Sequence, residues 1–358
     1  MTYLFVCGGT GGHIFPALAV AEELEKRGAR VFYVCGGREI EGEIFRGLPK
    51  QAVFPVRSAP FRGKSSIADP RFLLKLTQGY FQSRALLKKL RPALVVGFGG
   101  YVSFPVLLAA RSMGFKTALH EQNVLPGRAN RLLSRWVDSV ALSHEESLPL
   151  FASSHQLKVT GNPIRAAIEK DRREEALASF GFSPAKRTLL VLGGSQGAES
   201  VNRLFLSSLP FWEESMKKGL QVLHLCGRME PAGSEKTCRE SGVTARAFSF
   251  YDRMDLAYSA ADFCLGRAGA TFLAEIEAKG LEAILIPYPY ADGHQRENAR
   301  VFAASGRSCV AEQAELTSEK LAGFLRDFYR KPSQKNPVVA RPGAREALAS
   351  FLQECAGS

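Results

Sequence analysis

Two glycine loops stand about half a chain apart, and each ends a short apolar run and opens an amphipathic stretch. The first, Gly8-Gly9-Thr10-Gly11-Gly12-His13, follows Tyr3 to Val6; the second, Gly193-Gly194-Ser195-Gln196-Gly197-Ala198, follows Thr188 to Leu192. Strand, glycine turn and helix in that order bring backbone N–H groups and the positive end of a helix to one point, which suits an anionic or sugar ligand. Neither loop spells G-x-G-x-x-G, and the chain holds no G-x-x-x-x-G-K-[ST], which argues against dinucleotide and P-loop chemistry.

Three further groupings carry chemistry at expected strand-to-helix junctions. Asp262 to Leu265 leads into Gly266-Arg267-Ala268-Gly269-Ala270-Thr271-Phe272-Leu273-Ala274-Glu275. A helix starting near Gly269 would offer N–H groups to a phosphate, with Glu275 one to two turns in. A carboxylate there can accept paired hydrogen bonds from a vicinal diol such as a ribose; the alternative is a surface glutamate favoured by the helix dipole. Tyr288-Pro289-Tyr290-Ala291-Asp292-Gly293-His294-Gln295-Arg296-Glu297-Asn298 gathers amides, carboxylates and an imidazole suited to sugar hydroxyls, or else forms a polar loop capping a helix. His120-Glu121-Gln122-Asn123 follows a strand in the same way, as a site or as a solvated loop.

The elements that must position these residues alternate in a βα rhythm through both halves. Pro16 to Arg27 reads as a helix stopped at Gly28, and the next strand is Arg30 to Cys35. Strands are expected at Leu94 to Val96, Thr117 to His120 and Ser139 to Leu142. In the second half they fall at Leu189 to Leu192, Gln221 to Cys226, Ala245 to Phe248, Phe263 to Leu265 and Ala283 to Pro287. The rhythm predicts an α/β fold of two Rossmann-like, doubly wound parallel-sheet domains facing across a cleft. The Asn162-Pro163 turn divides them, followed by one charged helix around Ala166 to Phe180. Beyond Thr317 the chain reads as helical, apart from a surface connection over Arg330 to Pro342.

At 358 residues and 46% hydrophobic, the chain can build two cores of ordinary size. Its 7 cysteines form no C-x-x-C pair and lie mostly in apolar runs, which argues against a disulfide framework or zinc site and fits a reducing compartment. Met1-Thr2 leads straight into an apolar run, so no signal peptide is expected. The uncharged run Pro92 to Ala110 approaches the length of a bilayer span, but its glycines and prolines parse it as a buried strand, a loop and a helix from Phe104 or Pro105.

The net charge of +12 points to an acidic partner. Arg71 to Arg91, RFLLKLTQGYFQSRALLKKLR, mixes Phe72, Leu73, Leu76, Tyr80, Phe81, Leu87 and Leu90 with Arg71, Lys75, Arg84, Lys88, Lys89 and Arg91. Such a helix either lies against anionic headgroups at a membrane surface or buries one apolar face in its own domain. The absence of a binding module or RNP-like aromatic motif argues against nucleic acid.

Taken in order, these motifs resemble the MurG family. The resemblance rests on the two glycine loops, Gly99-Gly100-Tyr101-Val102-Ser103, His120-Glu121-Gln122-Asn123, Gly161-Asn162-Pro163-Ile164-Arg165, Arg267-Ala268-Gly269-Ala270 with Glu275, and His294-Gln295 with Asn298. It implies a GT-B fold with an acceptor- and membrane-binding domain at 1–162, a UDP-sugar domain at 163–340 and a helix at 341–358 packing back on the first domain. It also implies inverting transfer of N-acetylglucosamine from UDP-N-acetylglucosamine to lipid I, without metal or cofactor, by a peripheral protein on the cytoplasmic face of the bacterial plasma membrane, with other wall-synthesis and division proteins as further partners.

Carried over position by position, the resemblance puts Ser195 and Gln196 on the diphosphate, Glu275 on the ribose, Arg165 near the nucleotide, and Gln295 with His294 on the transferred sugar. Thr10, Gly11, Gly12, Asn123, Tyr251, Arg267, Ala270 and Thr271 complete the implied UDP-N-acetylglucosamine contacts. His13, Tyr101 and Asn123 fall on the acceptor side, and Phe72, Leu73, Leu76, Phe81, Lys75 and Arg84 at the membrane. The chain departs from the family at Phe272, at Tyr251 and at His294, where some members carry glutamine.

Inverting transfer needs a base for the attacking hydroxyl and stabilisation of the departing diphosphate. His13 is the candidate base, since an imidazole titrates near the working pH; its alternative role is to orient the acceptor. Helix ends after Gly193 and Arg267, with Ser195 and Arg267 themselves, would stabilise the leaving group, and the lack of a D-x-D triplet agrees with metal independence. Two other functions stay open on the residues: a related enzyme acting on a lipid such as diacylglycerol, and a non-catalytic membrane-associated scaffold.

Overall fold

The computed structural model describes residues 1–60, 69–151, 156–194, 197–290, 293–331 and 343–357. The chain forms two compact units, Met1–Arg165 with Arg341–Ser358, and Ala166–Ala340.

The first unit is built on strands β1 (Thr2–Val6), β2 (Arg30–Cys35), β3 (Val53–Pro55), β4 (Leu94–Gly97), β5 (Thr117–Glu121), β6 (Ser139–Leu142) and β7 (Gln156–Val159). They form one sheet in the order β3-β2-β1-β4-β5-β6-β7, with every neighbouring pair parallel. A parallel sheet is covered on both faces, so its strands are apolar throughout rather than alternating. Successive side chains of β1 therefore enter different cores: Tyr3 and Phe5 join the one that holds Leu348 and Phe351, whereas Leu4 and Val6 join Val95, Val106 and Leu119. The flanking helices are α1 (Gly11–Lys26), α2 (Glu39–Ile44), α3 (Pro70–Leu90), α4 (Ser103–Ser112) and α5 (Arg128–Leu133).

The second unit repeats the plan with β8 (Arg187–Leu192), β9 (Leu220–Leu225), β10 (Thr244–Phe248), β11 (Phe263–Gly266), β12 (Glu282–Leu285) and β13 (Ser308–Val310), all parallel, in the order β10-β9-β8-β11-β12-β13. Its helices are α6 (Ala166–Glu169), α7 (Arg173–Phe180), α8 (Glu199–Ser208), α9 (Glu214–Gly219), α10 (Pro231–Glu240), α11 (Met254–Ala260), α12 (Ala270–Ala278), α13 (His294–Ala303) and α14 (Ser318–Arg330). The last helix, α15 (Ala344–Gly357), returns to the first unit beside α1, where the Arg27 guanidinium donates to Ser350 Oγ at 3.0 Å and Gln353 Oε1 at 2.9 Å.

Two expectations need correction, and three strands were not expected. The first helix begins at Gly11 rather than Pro16, so the second glycine pair of the loop forms its first turn and Pro16 sits inside it. The charged helix expected over Ala166 to Phe180 is two, because Lys170 to Arg172 break the run between α6 and α7. Strands β3, β7 and β13 carried no clear signal, being short and only partly buried. In each sheet the strand order reverses beside the first strand, between β1 and β4 and between β8 and β11, where doubly wound sheets bind ligands beyond their carboxyl ends.

Candidate active site

In the first unit β1 and β4 run side by side and release their loops together, Val6 pairing with Gly97. Gly9, Gly99 and Gly100 have φ of 91°, 99° and 78°, a region that glycine enters without strain. His13 lies in the first turn of α1, and its ring fills the space a side chain at Gly99 would need, since a Cβ there would stand 2.8 Å from ring Nδ1. Under the loop lies Glu41, buried on α2: Oε1 accepts from Gly9 N at 2.6 Å and Oε2 from Arg38 N at 2.9 Å. Arg38 Nη1 donates to Gly9 O at 3.2 Å, and the guanidinium lies 5.2 Å from the centre of the Tyr101 ring. Glu41 thus sets the loop by charge-assisted bonds. Sequence reasoning missed it; its only sequence signal is its place three residues after Arg38 at a helix start.

The reading of His120-Glu121-Gln122-Asn123 as either a site or a solvated loop needs refinement, because His120, Glu121 and Gln122 are all buried and bonded within the protein. Glu121 Oε1 accepts from Asn123 N at 3.0 Å and Asn123 Nδ2 at 2.9 Å, and Oε2 from Gly127 N at 3.0 Å and Asn130 Nδ2 at 2.9 Å. The carboxylate folds the loop and places half-buried Asn123. His120 Nε2 meets Gly161 O at 3.2 Å, and burial pushes its pKa down to about 4, so the ring is neutral at pH 7. Gln122 lies between the two histidines, with Nε2 donating to Phe98 O at 2.9 Å and Oε1 3.2 Å from His13 Nδ1.

In the second unit the loop after β8 carries Ser195 and Gln196, which lie outside the described residues, as do Ala291 and Asp292. The loop after β11 leads into α12 with Gly269 as its N-cap, and Ala270 and Thr271 are buried in the first turn. Glu275 is buried rather than a surface residue, and its Oε2 accepts from the Tyr258 hydroxyl at 2.7 Å. Arg267 is also buried: Nη1 donates to Ile286 O at 3.0 Å and Pro287 O at 3.1 Å, Nη2 to Ser200 Oγ at 2.8 Å and Gln313 Oε1 at 2.6 Å. Its guanidinium ties the loop after β12 to the start of α8. Asn298 Nδ2 donates to Ala268 O at 3.2 Å and Gln295 Oε1 accepts from Tyr288 N at 3.0 Å, so α13 braces the loops after both β11 and β12. His294 is half-buried at the start of that helix.

Residues 3–142 match the glycosyltransferase family 28 N-terminal domain, and residues 188–353 match the family 28 C-terminal domain. The chain belongs to glycosyltransferase family 28.

This family 28 chain is 42% identical to the UDP-N-acetylglucosamine–N-acetylmuramyl-(pentapeptide) pyrophosphoryl-undecaprenol N-acetylglucosamine transferase of Syntrophus aciditrophicus, over 97% of this chain and 96% of the relative. It is 38% identical to the Halothermothrix orenii protein of the same name, over 99% of each chain. The crystal structure of Acinetobacter baumannii MurG superposes with a TM-score of 0.73 at 26% identity, covering 99% of each chain. The fold is GT-B.

Two expected nucleotide contacts take their own places in this glycosyltransferase. Arg165 stacks on Phe15 of α1, its guanidinium 4.3 Å from the ring centre. The Tyr251 ring packs against Phe180 and Phe248, at centroid distances of 5.4 and 4.9 Å.

On α3, Asp69 caps the start by accepting from Arg71 N, and the helix divides lengthwise. Leu86 and Leu87 enter the core, Phe72 and Leu76 are half-buried, and Leu73, Leu74 and Phe81 are 46%, 58% and 62% exposed. Lys75 is exposed, whereas Arg84 turns onto its own unit, with Nη1 donating to Tyr80 Oη at 3.2 Å and Ser112 Oγ at 3.3 Å. Among the described residues, no helix is long and apolar enough to cross a membrane.

Proposed function

We propose that this glycosyltransferase moves N-acetylglucosamine from UDP-N-acetylglucosamine to the muramyl sugar of lipid I, making lipid II with inversion at the anomeric carbon and without a metal. The observation that carries this reading is the extent of the similarity: 38% to 42% identity to enzymes of that name over 97% to 99% of the chain, taking in both units.

The second unit takes the donor. Glu275, steadied by Tyr258, holds the ribose; Ser195 and Gln196, with the first turn of α12 at Ala270 and Thr271, hold the diphosphate; and Gln295 with His294 reads the sugar. Arg267 stabilises the leaving group from a guanidinium held in place by the four acceptors its two Nη atoms serve. His13, Tyr101 and Asn123 of the first unit take the acceptor, Thr10, Gly11, Gly12 and Asn123 are further UDP-N-acetylglucosamine contacts, and Arg165 lies near the nucleotide. His13 removes the proton of the attacking hydroxyl as its oxygen bonds to the anomeric carbon. The bond from that carbon to the diphosphate breaks, and its electron pair leaves on UDP.

The protein works peripherally at the cytoplasmic face of the plasma membrane, with Leu73, Leu74 and Phe81 of α3 in the interface and Lys75, Lys88 and Lys89 beside anionic headgroups. Exposed large apolar side chains rimmed by lysines on one helix support this placement. Other wall-synthesis and division proteins are its further partners.

Transfer of labelled N-acetylglucosamine to detergent-dispersed lipid I, in excess EDTA, tests the reaction. Turnover is the expected result. Faster transfer to diacylglycerol would reassign the acceptor, and loss of turnover with EDTA would overturn metal independence.

A further inference from the structure

We infer that Gln122 is the positioning residue that decides which ring nitrogen of His13 is bare, and that it leaves Nε2 as the base. The inference rests on the transfer reaction proposed above for its catalytic meaning, but its structural content stands on hydrogen bonds alone.

The Gln122 side chain is buried between β4 and the glycine loop. Its Nε2 lies 2.9 Å from Phe98 O and 3.1 Å from His120 O, two backbone carbonyls that can only accept. The amide therefore points its NH2 at them and its oxygen the other way. That oxygen faces His13 Nδ1 at 3.2 Å, and because an amide oxygen can only accept, Nδ1 carries the proton. A neutral ring has one N–H, so Nε2 holds a lone pair.

His120 reinforces the amide's orientation. Its Nε2 lies 3.2 Å from Gly161 O, which makes Nε2 the protonated nitrogen, and its Nδ1, 3.0 Å from Gln122 Nε2, shares with His120 O the second N–H of an amide whose first N–H goes to Phe98 O. One direction of donation runs through the chain, from His13 Nδ1–H to Gln122 Oε1, from Gln122 Nε2–H to His120 Nδ1, and from His120 Nε2–H to Gly161 O. Reversing any link would set two donors or two acceptors face to face in a buried site. Gly99, packed against the His13 ring, offers room and no polar side chain. When Nε2 takes the proton of the attacking hydroxyl, the resulting imidazolium keeps its Nδ1–H bond to Gln122 Oε1, so the amide also steadies the charged form.

The test reads the tautomer directly. Protein labelled with 15N-histidine gives long-range proton–nitrogen correlations that distinguish Nδ1–H from Nε2–H. His13, one of 6 histidines, is assigned by the signal lost in His13→Asn. The wild type, at a pH where the ring is neutral, is expected to show His13 as Nδ1–H. Gln122→Met, which keeps the volume and removes the amide, is expected to shift it toward Nε2–H, with kcat falling roughly ten- to a hundredfold and both KM values changing by less than about twofold. A wild-type His13 protonated on Nε2 would overturn the assignment, as would a tautomer change in Gln122→Met that leaves kcat untouched. Should Gln122→Met fail to fold, the wild-type spectrum decides alone, Nδ1–H supporting and Nε2–H overturning. The absence of transfer to lipid I would refute the proposed reaction and leave the spectrum standing, so the two failures are distinguishable.

Discussion

Tyr258 on α11 and Glu275 on α12 are joined inside the second unit by a 2.7 Å hydrogen bond from the phenol hydroxyl to Glu275 Oε2. A buried carboxylate held by a rigid aromatic donor is preorganised, losing little rotamer freedom when a diol arrives. Tyr258→Phe removes one charge-assisted bond worth about 1.5 kcal/mol and is expected to weaken UDP-N-acetylglucosamine binding roughly tenfold, with a smaller effect on kcat. Donor titration calorimetry checks this, and unchanged affinity would separate Glu275 from the donor.

Gly99→Ala tests whether the glycine makes room for His13. The new methyl group would stand 2.8 Å from the imidazole, at a residue with φ of 99°. Backbone strain of about 1–3 kcal/mol should lower the melting temperature. Displacement of His13 should lower kcat at least roughly tenfold, while donor binding stays as in the wild type.

Stability should depend on pH through His120 and His224, whose pKa burial holds down to about 4 from an ordinary value of 6.5. The unfolded chain binds protons at these residues below pH 6.5 and the folded chain does not, so stability is full above that pH and is lost as pH falls toward 4. Each pH unit between those two values costs about 1.36 kcal/mol, which brings the loss to about 3 kcal/mol for each ring. Chemical denaturation at pH 7.5, 6, 5 and 4 should trace it, and a flat profile would refute it.

Replacing Leu73, Leu74 and Phe81 together with serine removes three large exposed apolar groups and should weaken binding to anionic vesicles more than roughly tenfold without lowering stability. Leu87 belongs to the core of the unit, so Leu87→Ala should instead destabilise the fold by about 2–5 kcal/mol. Equal vesicle binding by the triple variant and the wild type would remove α3 from the membrane.

Much of the fold was legible because parallel sheets write themselves as apolar runs between amphipathic helices. The runs at Tyr3 to Val6, Arg30 to Cys35 and Ser139 to Leu142 fall on β1, β2 and β6. The junction before Ala270 was legible for a similar reason, since Gly269 caps the helix where expected. Edge strands such as Val53–Pro55 were not, because three residues, none of them buried, carry too little pattern to separate a strand from a loop.

The amino-acid sequence by itself determined the α/β rhythm, the two glycine loops and the strand ends at which polar residues gather, since these depend on local propensity and periodicity. Only the tertiary structure decided which partners each polar residue bonds there. The structure gives Arg267 its partners within the unit: its guanidinium ties the carbonyls of Ile286 and Pro287, Ser200 and Gln313. Glu41 attracted no notice, yet it holds Gly9 from 32 residues away. Gln122 reaches His13 across 109 residues of chain. A buried hydrogen bond is fixed by which donors and acceptors the packed strands bring within about 3 Å, and that distance is a property of the assembled sheet rather than of any stretch of sequence.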